Sequence, residues 1–169
     1  MKEQVSNVDG SLQRVGRALA GGAPAEIVIW DRGGPPGPSY ESNQLTTVDD
    51  GSVLHAVFLK TRYDRDNPPF RSDEYKKDFP RLKGTDKLAM AIFGRTYAEE
   101  TDPRIGGVTK ITITIRLLTA PGTTSDEVSK TFYQRLPGDL GSLDARFREM
   151  ARVCEQEGTH VTLARPGGS

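Results

Sequence analysis

One cysteine, Cys154, and two histidines, His55 and His160, stand in a chain of 169 residues. A single thiol leaves no internal disulfide framework and points to a reducing compartment. Neither histidine has a cysteine at metal-ligand spacing, so no zinc pattern is present. Net charge is missing as well: 23 basic side chains balance 23 acidic ones. That balance argues against a uniformly basic nucleic-acid binder. It also leaves little electrostatic resistance to self-association. No apolar run approaches the roughly 20 residues of a membrane-spanning helix, and the N-terminus lacks the apolar core of a signal peptide. These absences predict a cytosolic product. Walker A, GxSxG and HExxH motifs are absent too. Gly33 and Gly34 run into prolines that cannot open a helix around a phosphate.

What is present reads as a single α+β domain over residues 11–164, between a polar N-terminus (1–10) and a short tail (165–169), both expected to be flexible. Ser11 is a plausible N-cap for a helix through residue 20, with Leu12, Val15 and Leu19 on one face. Residues 26–30 (EIVIW) form a nearly continuous apolar strand. Residues 31–44 (DRGGPPGPSYESNQ) hold three prolines and three glycines, which predicts a long loop. Strand character resumes at 53–59. Residues 60–87 read as a charged, proline-broken connection, and 88–93 as a short buried strand or a helical turn. The clearest strand is 109–118, where Ile111, Ile113 and Ile115 alternate with Thr112, Thr114 and Arg116. One face of it is apolar and one polar.

Thr124 and Glu127 have capping-box spacing and predict a helix over 125–136, with Val128, Phe132 and Tyr133 as its stripe. Ser142 is expected to cap a second helix, in which Leu143, Phe147, Met150 and Cys154 share one face. Gly158 suits its end, and 159–163 reads as a last strand. Strands and helices do not alternate strictly. The expected fold class is therefore α+β, an antiparallel or mixed β-sheet with helices packed on one face.

Residue chemistry offers no catalytic site. Cys154 falls on an apolar helix face and reads as an inert core thiol. His55, between Val53 and Val57, reads as a structural histidine. Glu99 and Glu100 read as solvated loop charges. No metal and no cofactor is called for. The middle of the chain is mildly basic, with 9 basic and 6 acidic residues over 60–87. There Lys60, Arg62, Arg65, Arg71, Lys76 and Lys77 interleave with aromatics, a pattern that can stack bases and contact phosphates. The intervening acids dilute any phosphate field. The row is read as a solvated basic and aromatic surface, and direct nucleic-acid binding fits it less well.

The last third carries a resemblance. The amphipathic strand GVTKITITIRLL, a short aromatic helix EVSKTFYQRL, a helix with Phe147-Arg148-Glu149-Met150-Ala151 at its centre and the strand THVTL follow in the expected order. This run resembles the end of rhabdovirus matrix proteins, mainly over residues 105–163. The unit SLQRVGRALAGG followed by EIVIWDRGG is similar in order to that family's helix-then-strand unit. The GGPPGPSYE loop is similar to a proline-tyrosine late motif. That family's lysine-rich N-terminal arm has no counterpart, since only Lys2 is basic before Arg14. The resemblance implies a non-enzymatic structural protein that self-associates and bridges a membrane to a nucleocapsid during virion assembly and budding. It implies homo-oligomers, with nucleoprotein and an anionic membrane surface as further partners. Its location would be the virion and the host cytoplasm. In that reading the loop bearing Pro35, Pro36, Pro38 and Tyr40 docks into a neighbouring copy. Two alternatives stand beside it: a coat protein of a small RNA phage, binding RNA on the face of Thr112, Thr114 and Arg116, and a small ligand-binding or enzymatic domain with a pocket that no motif marks.

Overall fold

A computed structural model of the chain describes residues 2–32, 39–64, 71–104, 108–118 and 126–164, with backbone alone at 2–9, 32, 39–40, 63–64, 71, 139 and 164. In order, the elements are α1 (Lys2–Ala20), β1 (Ala25–Arg32), β2 (Ser39–Asp49), β3 (Leu54–Asp64), β4 (Arg71–Phe79), α2 (Thr85–Phe93), β5 (Lys110–Leu117), β6 (Glu127–Tyr133), α3 (Gly141–Glu157) and β7 (Thr159–Ala164). The seven strands form one open sheet in the order β6-β5-β1-β2-β3-β4-β7. Every neighbouring pair is antiparallel. The fold is thus α+β, with β1 near the centre. Four strands run as successive hairpins. The chain then returns through α2 to place β5 on the other side of β1.

The pleat sorts side chains by face. Ile27 and Ile29 of β1 lie opposite Ile115 and Ile113 of β5 and opposite Thr47 and Leu45 of β2. These residues belong to one buried core with Leu12, Val15 and Leu19 of α1, Ala89, Ile92 and Phe93 of α2, and Leu143, Phe147, Met150 and Cys154 of α3. All three helices therefore cover the same side of the sheet. Thr47 is the polar exception in the middle of that side, fully buried. Its hydroxyl donates to the Ile27 carbonyl at 3.1 Å, which removes the cost of an unmatched polar group.

Several sequence expectations change. The aromatic segment expected as a helix over 125–136 is strand β6 where it is described. Val128 and Phe132 lie four residues apart, and that spacing puts two side chains on one face in a helix and in a strand alike. The strand wins through its β-branched and aromatic residues and its register on β5: Thr131 and Ser129 face Thr112 and Thr114. Their hydroxyls meet at 3.0 and 2.9 Å. Lys130 then lands on the dry side, between Val128 and Phe132. Its amine bonds the Arg95 carbonyl at 2.6 Å and Glu100 at 3.3 Å, tying down the 3-10 turn Ala98–Glu100.

The expected connection at 60–87 is largely strand: β3 runs on to Asp64, and β4 occupies Arg71–Phe79. The apolar signal is weak because only Tyr75 and Phe79 of β4 pack against the core. Pairing on both sides holds β4 instead. The long loop expected at 31–44 shrinks as well, since β1 reaches Arg32 and β2 begins at Ser39. Residues 88–93 lie in helix α2. Helix α1 starts at Lys2, so Ser11 is no cap; it sits inside the helix, and its hydroxyl accepts from Arg14. Ser142 also falls inside its helix, whose first residue is Gly141.

Phe132 has no exposed surface. Phe132→Ala is expected to lower the unfolding free energy by about 3–5 kcal/mol, measured by urea denaturation. A loss under about 1 kcal/mol would contradict a close-packed core at that position.

Candidate functional site

The helices do not close the dry side completely. A cleft of about 320 Å³ opens between α3 and the sheet. Ile29, Leu45 and Phe58 form its floor, and Phe147 and Ala151 of α3 form its wall. One end is polar. Asp31 and Asn43 are cross-strand partners on β1 and β2, and both line the cleft. The inward row of β1 thus reads Ala25, Ile27, Ile29, Asp31, and that of β2 reads Thr47, Leu45, Asn43. Asp31 and Asn43 are where these rows turn from apolar or satisfied side chains to unsatisfied polar ones.

Burial pushes the Asp31 carboxyl above its usual value; the nearby Arg148 guanidinium opposes the rise and Asp144 adds to it. Arg148 also holds Asp144, its Nε donating to both carboxylate oxygens at 3.0 and 2.9 Å. The Asn43 Oδ1 atom is buried and has no hydrogen-bond partner among the described residues. This arrangement can hold a small molecule with an apolar body and a polar head. The sequence reading missed both residues. Extending the period-2 alternation of EIVIW by one step would have placed Asp31 on the dry side.

The opposite side of the sheet carries no helix. A continuous cross-strand row on it reads Thr131, Thr112, Trp30, Gln44, Leu59, Glu74, Val161. The next row reads Ser129, Thr114, Val28, Thr46, Val57, Lys76, Thr159. Trp30 is 44% exposed, and Val161 and Leu163 are 45% and 48% exposed. Trp30 thus leaves part of its indole in water near the middle of the sheet.

The residues singled out from sequence are dispersed. Pro35, Pro36 and Pro38 lie outside the described residues. Tyr40 sits in β2 at register with Tyr63. Arg65 also lies outside the described residues, and Arg71 is placed by backbone alone, opposite Arg62. The remaining cations are divided between the two sides of the sheet. Lys60 pairs with Glu155 at 3.3 Å, Arg62 with Glu41 at 3.0 Å and Lys76 with Glu74 at 3.2 Å. Lys77 lies over the Phe79 ring at 5.9 Å. They do not form one basic surface, and Tyr75 stacks on His160 at 4.5 Å. Among the described residues no group of three or more His, Cys, Asp or Glu gathers as a metal site. No helix among them is long and apolar enough to cross a membrane.

No family model, curated protein or solved structure matches the chain. The reading therefore rests on geometry.

Two groups are chemically quiet. Cys154 is buried, and burial raises its thiol pKa, so it stays protonated and inert. His55 has a carboxylate on each ring nitrogen, Asp78 on Nδ1 at 2.7 Å and Asp50 on Nε2 at 2.8 Å. Two flanking carboxylates are best matched when both nitrogens donate, so the arrangement favours the imidazolium. The Asp50 hydrogen bond, then the Asp78 one, raises its pKa above 6.5. Asp50, bonded by the Val53 and Ser52 amides and by His55, is held far below 3.8.

Linkage gives the signs. The His55 contribution to stability is complete below 6.5 and is lost as pH rises through the raised value. The Asp50 contribution is complete above 3.8 and is lost as pH falls through the lowered one. The β2–β3 turn is therefore held best between those two limits. An NMR titration should place the His55 midpoint above 6.5. The stability advantage over His55→Gln should shrink as pH rises beyond that midpoint. A midpoint below the ordinary histidine value would overturn the two-carboxylate clamp.

Proposed function

We propose that the chain is a non-enzymatic assembly module that associates with a second copy of itself through the open face of its sheet. The observation that carries this is the seven-stranded face with Trp30 at its middle, which no helix covers. Three further features favour a second copy as the occupant.

The polar groups of the face are largely satisfied side to side. Thr112 bonds Thr131, Thr114 bonds Ser129 and Gln44 bonds Thr46. Covering them leaves few donors unmatched, which lowers the desolvation cost of a dry contact. The charges of the face are answered within one copy. Arg116 lies between Glu127 at 2.8 Å and Glu26 at 3.5 Å. His55 lies between its two aspartates, and Lys76 pairs with Glu74. The chain as a whole is neutral, which leaves little net repulsion between two copies.

Area is the third feature. Six strand spacings and three side-chain rows give a patch of about 29 by 20 Å. The fourth row is closed by Ser42 and Ser72, which are 9% and 5% exposed. About 600 Å² per copy sits at the low end of specific interfaces. It supports reversible, concentration-dependent association rather than an obligate dimer.

A matrix-type setting, with nucleoprotein and an anionic membrane surface as partners, rests on the C-terminal resemblance alone. The face-to-face contact is the part supported by geometry. Light scattering coupled to size exclusion, run across protein concentration, tests it. The wild-type chain should shift from monomer to dimer as concentration rises. Trp30→Glu should weaken association by about thirtyfold or more, the scale of a central interface residue. A strict monomer at all concentrations, or an unaffected Trp30→Glu dimer, would sink the proposal.

A further inference from the structure

The polar end of the cleft holds acceptors that lack donors. Asn43 Oδ1 is buried and unpartnered among the described residues. Beside it, the Asp31 carboxylate has no hydrogen bond or ion pair among the described residues; its electrostatic neighbours are Arg148 and Asp144. An unmatched buried acceptor is costly, and in a native fold such an atom calls for a reason. The cations near the cleft do not supply it. Arg148 is bonded to Asp144, Arg152 to Glu149 and Gln156, and Lys60 to Glu155. The cleft thus combines free acceptors with an apolar floor.

We infer that this cleft binds an organic amine, its aryl or alkyl body lying on Ile29, Leu45, Phe58 and Phe147 and its protonated amino head donating to Asp31 and Asn43 Oδ1. An ammonium carries three donors and no acceptor, which complements the two unpartnered acceptors at this end, Asp31 and Asn43 Oδ1. The charge count agrees: Asp31, Asp144 and Glu155 line the cleft with Arg148 and Arg152, and one ammonium restores neutrality. Burial penalises the Asp31 charge in the empty cleft, and a bound cation removes that penalty. A carboxylate ligand would set its charge against Asp31 and Asp144. An uncharged hydrocarbon would leave Asn43 Oδ1 unmatched. A volume of about 320 Å³ is near the lower limit of small-molecule sites, so the body is one ring or a short alkyl chain. The cleft lies on the helix side, so occupancy of the open face leaves it accessible.

Calorimetric titration of the full chain with phenethylamine, ethylbenzene and hydrocinnamate separates these cases, with amide NMR shifts to locate the site. Phenethylamine should bind, with shifts at Asp31, Asn43 and Phe147. Ethylbenzene should bind about tenfold more weakly or worse, the scale of a charge-assisted hydrogen bond, and hydrocinnamate not at all. Asp31→Asn should cost phenethylamine about tenfold while leaving ethylbenzene unchanged. No phenethylamine binding at millimolar concentration, equal binding of all three probes, or a preference for hydrocinnamate would overturn the inference. The three probes decide it on the unaltered protein, whatever Asp31→Asn does to folding.

Discussion

The structure depends on keeping one side of the sheet dry. Ile113 and Ile115 of β5 have no exposed surface, and Ile27 of β1 has almost none. A helix is only about 10 Å wide, too narrow to cover this side of the sheet alone, so three chain segments share the cover. Helix α1 precedes the sheet, α2 interrupts it, and α3 follows β6. This accounts for the return of the chain after α3. The helix ends against β4, and β7 continues as the outermost strand beside it. Gly158 stands at that corner. A Cβ there would lie 2.5 Å from the Cys154 carbonyl oxygen and 2.7 Å from that of Lys76. The close approach of helix end to strand is what excludes a side chain, since its φ of −81° suits any residue.

A dry side tolerates polar groups only when each finds a partner. Thr47 bonds a backbone carbonyl, and Lys130 holds the turn at Ala98–Glu100. Asp49 accepts from Arg81 at 2.8 Å, while the same guanidinium bonds the Gly22 carbonyl at 3.0 Å and so ties the end of α1 to the sheet. Against that background Asp31 and Asn43 stand out. They occupy the same kind of position, and one of their oxygens is buried without a partner. The contrast separates a structural polar group from a ligand-seeking one without appeal to any motif.

The elements legible in the sequence were those whose periodicity has one solution. The Ile-Thr alternation at 110–117 excludes a helix. The spacing of Leu143, Phe147, Met150 and Cys154 excludes a strand. Both readings hold in β5 and α3. Segment 127–133 misled because Val128 and Phe132 satisfy both periods. Strand β4 was hidden because pairing on both sides stands in for an apolar stripe. Of the site, the sequence showed the polar row of Thr112, Thr114 and Arg116 but not its continuation through Trp30, which exists only once β1 pairs with β5. Asp31 and Asn43 are joined by hairpin register, and no local pattern in one segment reports the other.

Trp30 and Asp31 are consecutive residues, and the pleat sends them to opposite sides of the sheet. One strand therefore presents the centre of the open face and the polar end of the cleft. Hydrogen bonds to β2 and β5 hold β1 along its whole length, so neither side chain can exchange faces without a register slip that would expose every isoleucine of the strand. The two surfaces share a backbone yet stay chemically separate. A change at Trp30 alters what the sheet can rest on, and a change at Asp31 alters what the cleft can hold. The constraint that dried one side of the sheet is what left the other side open.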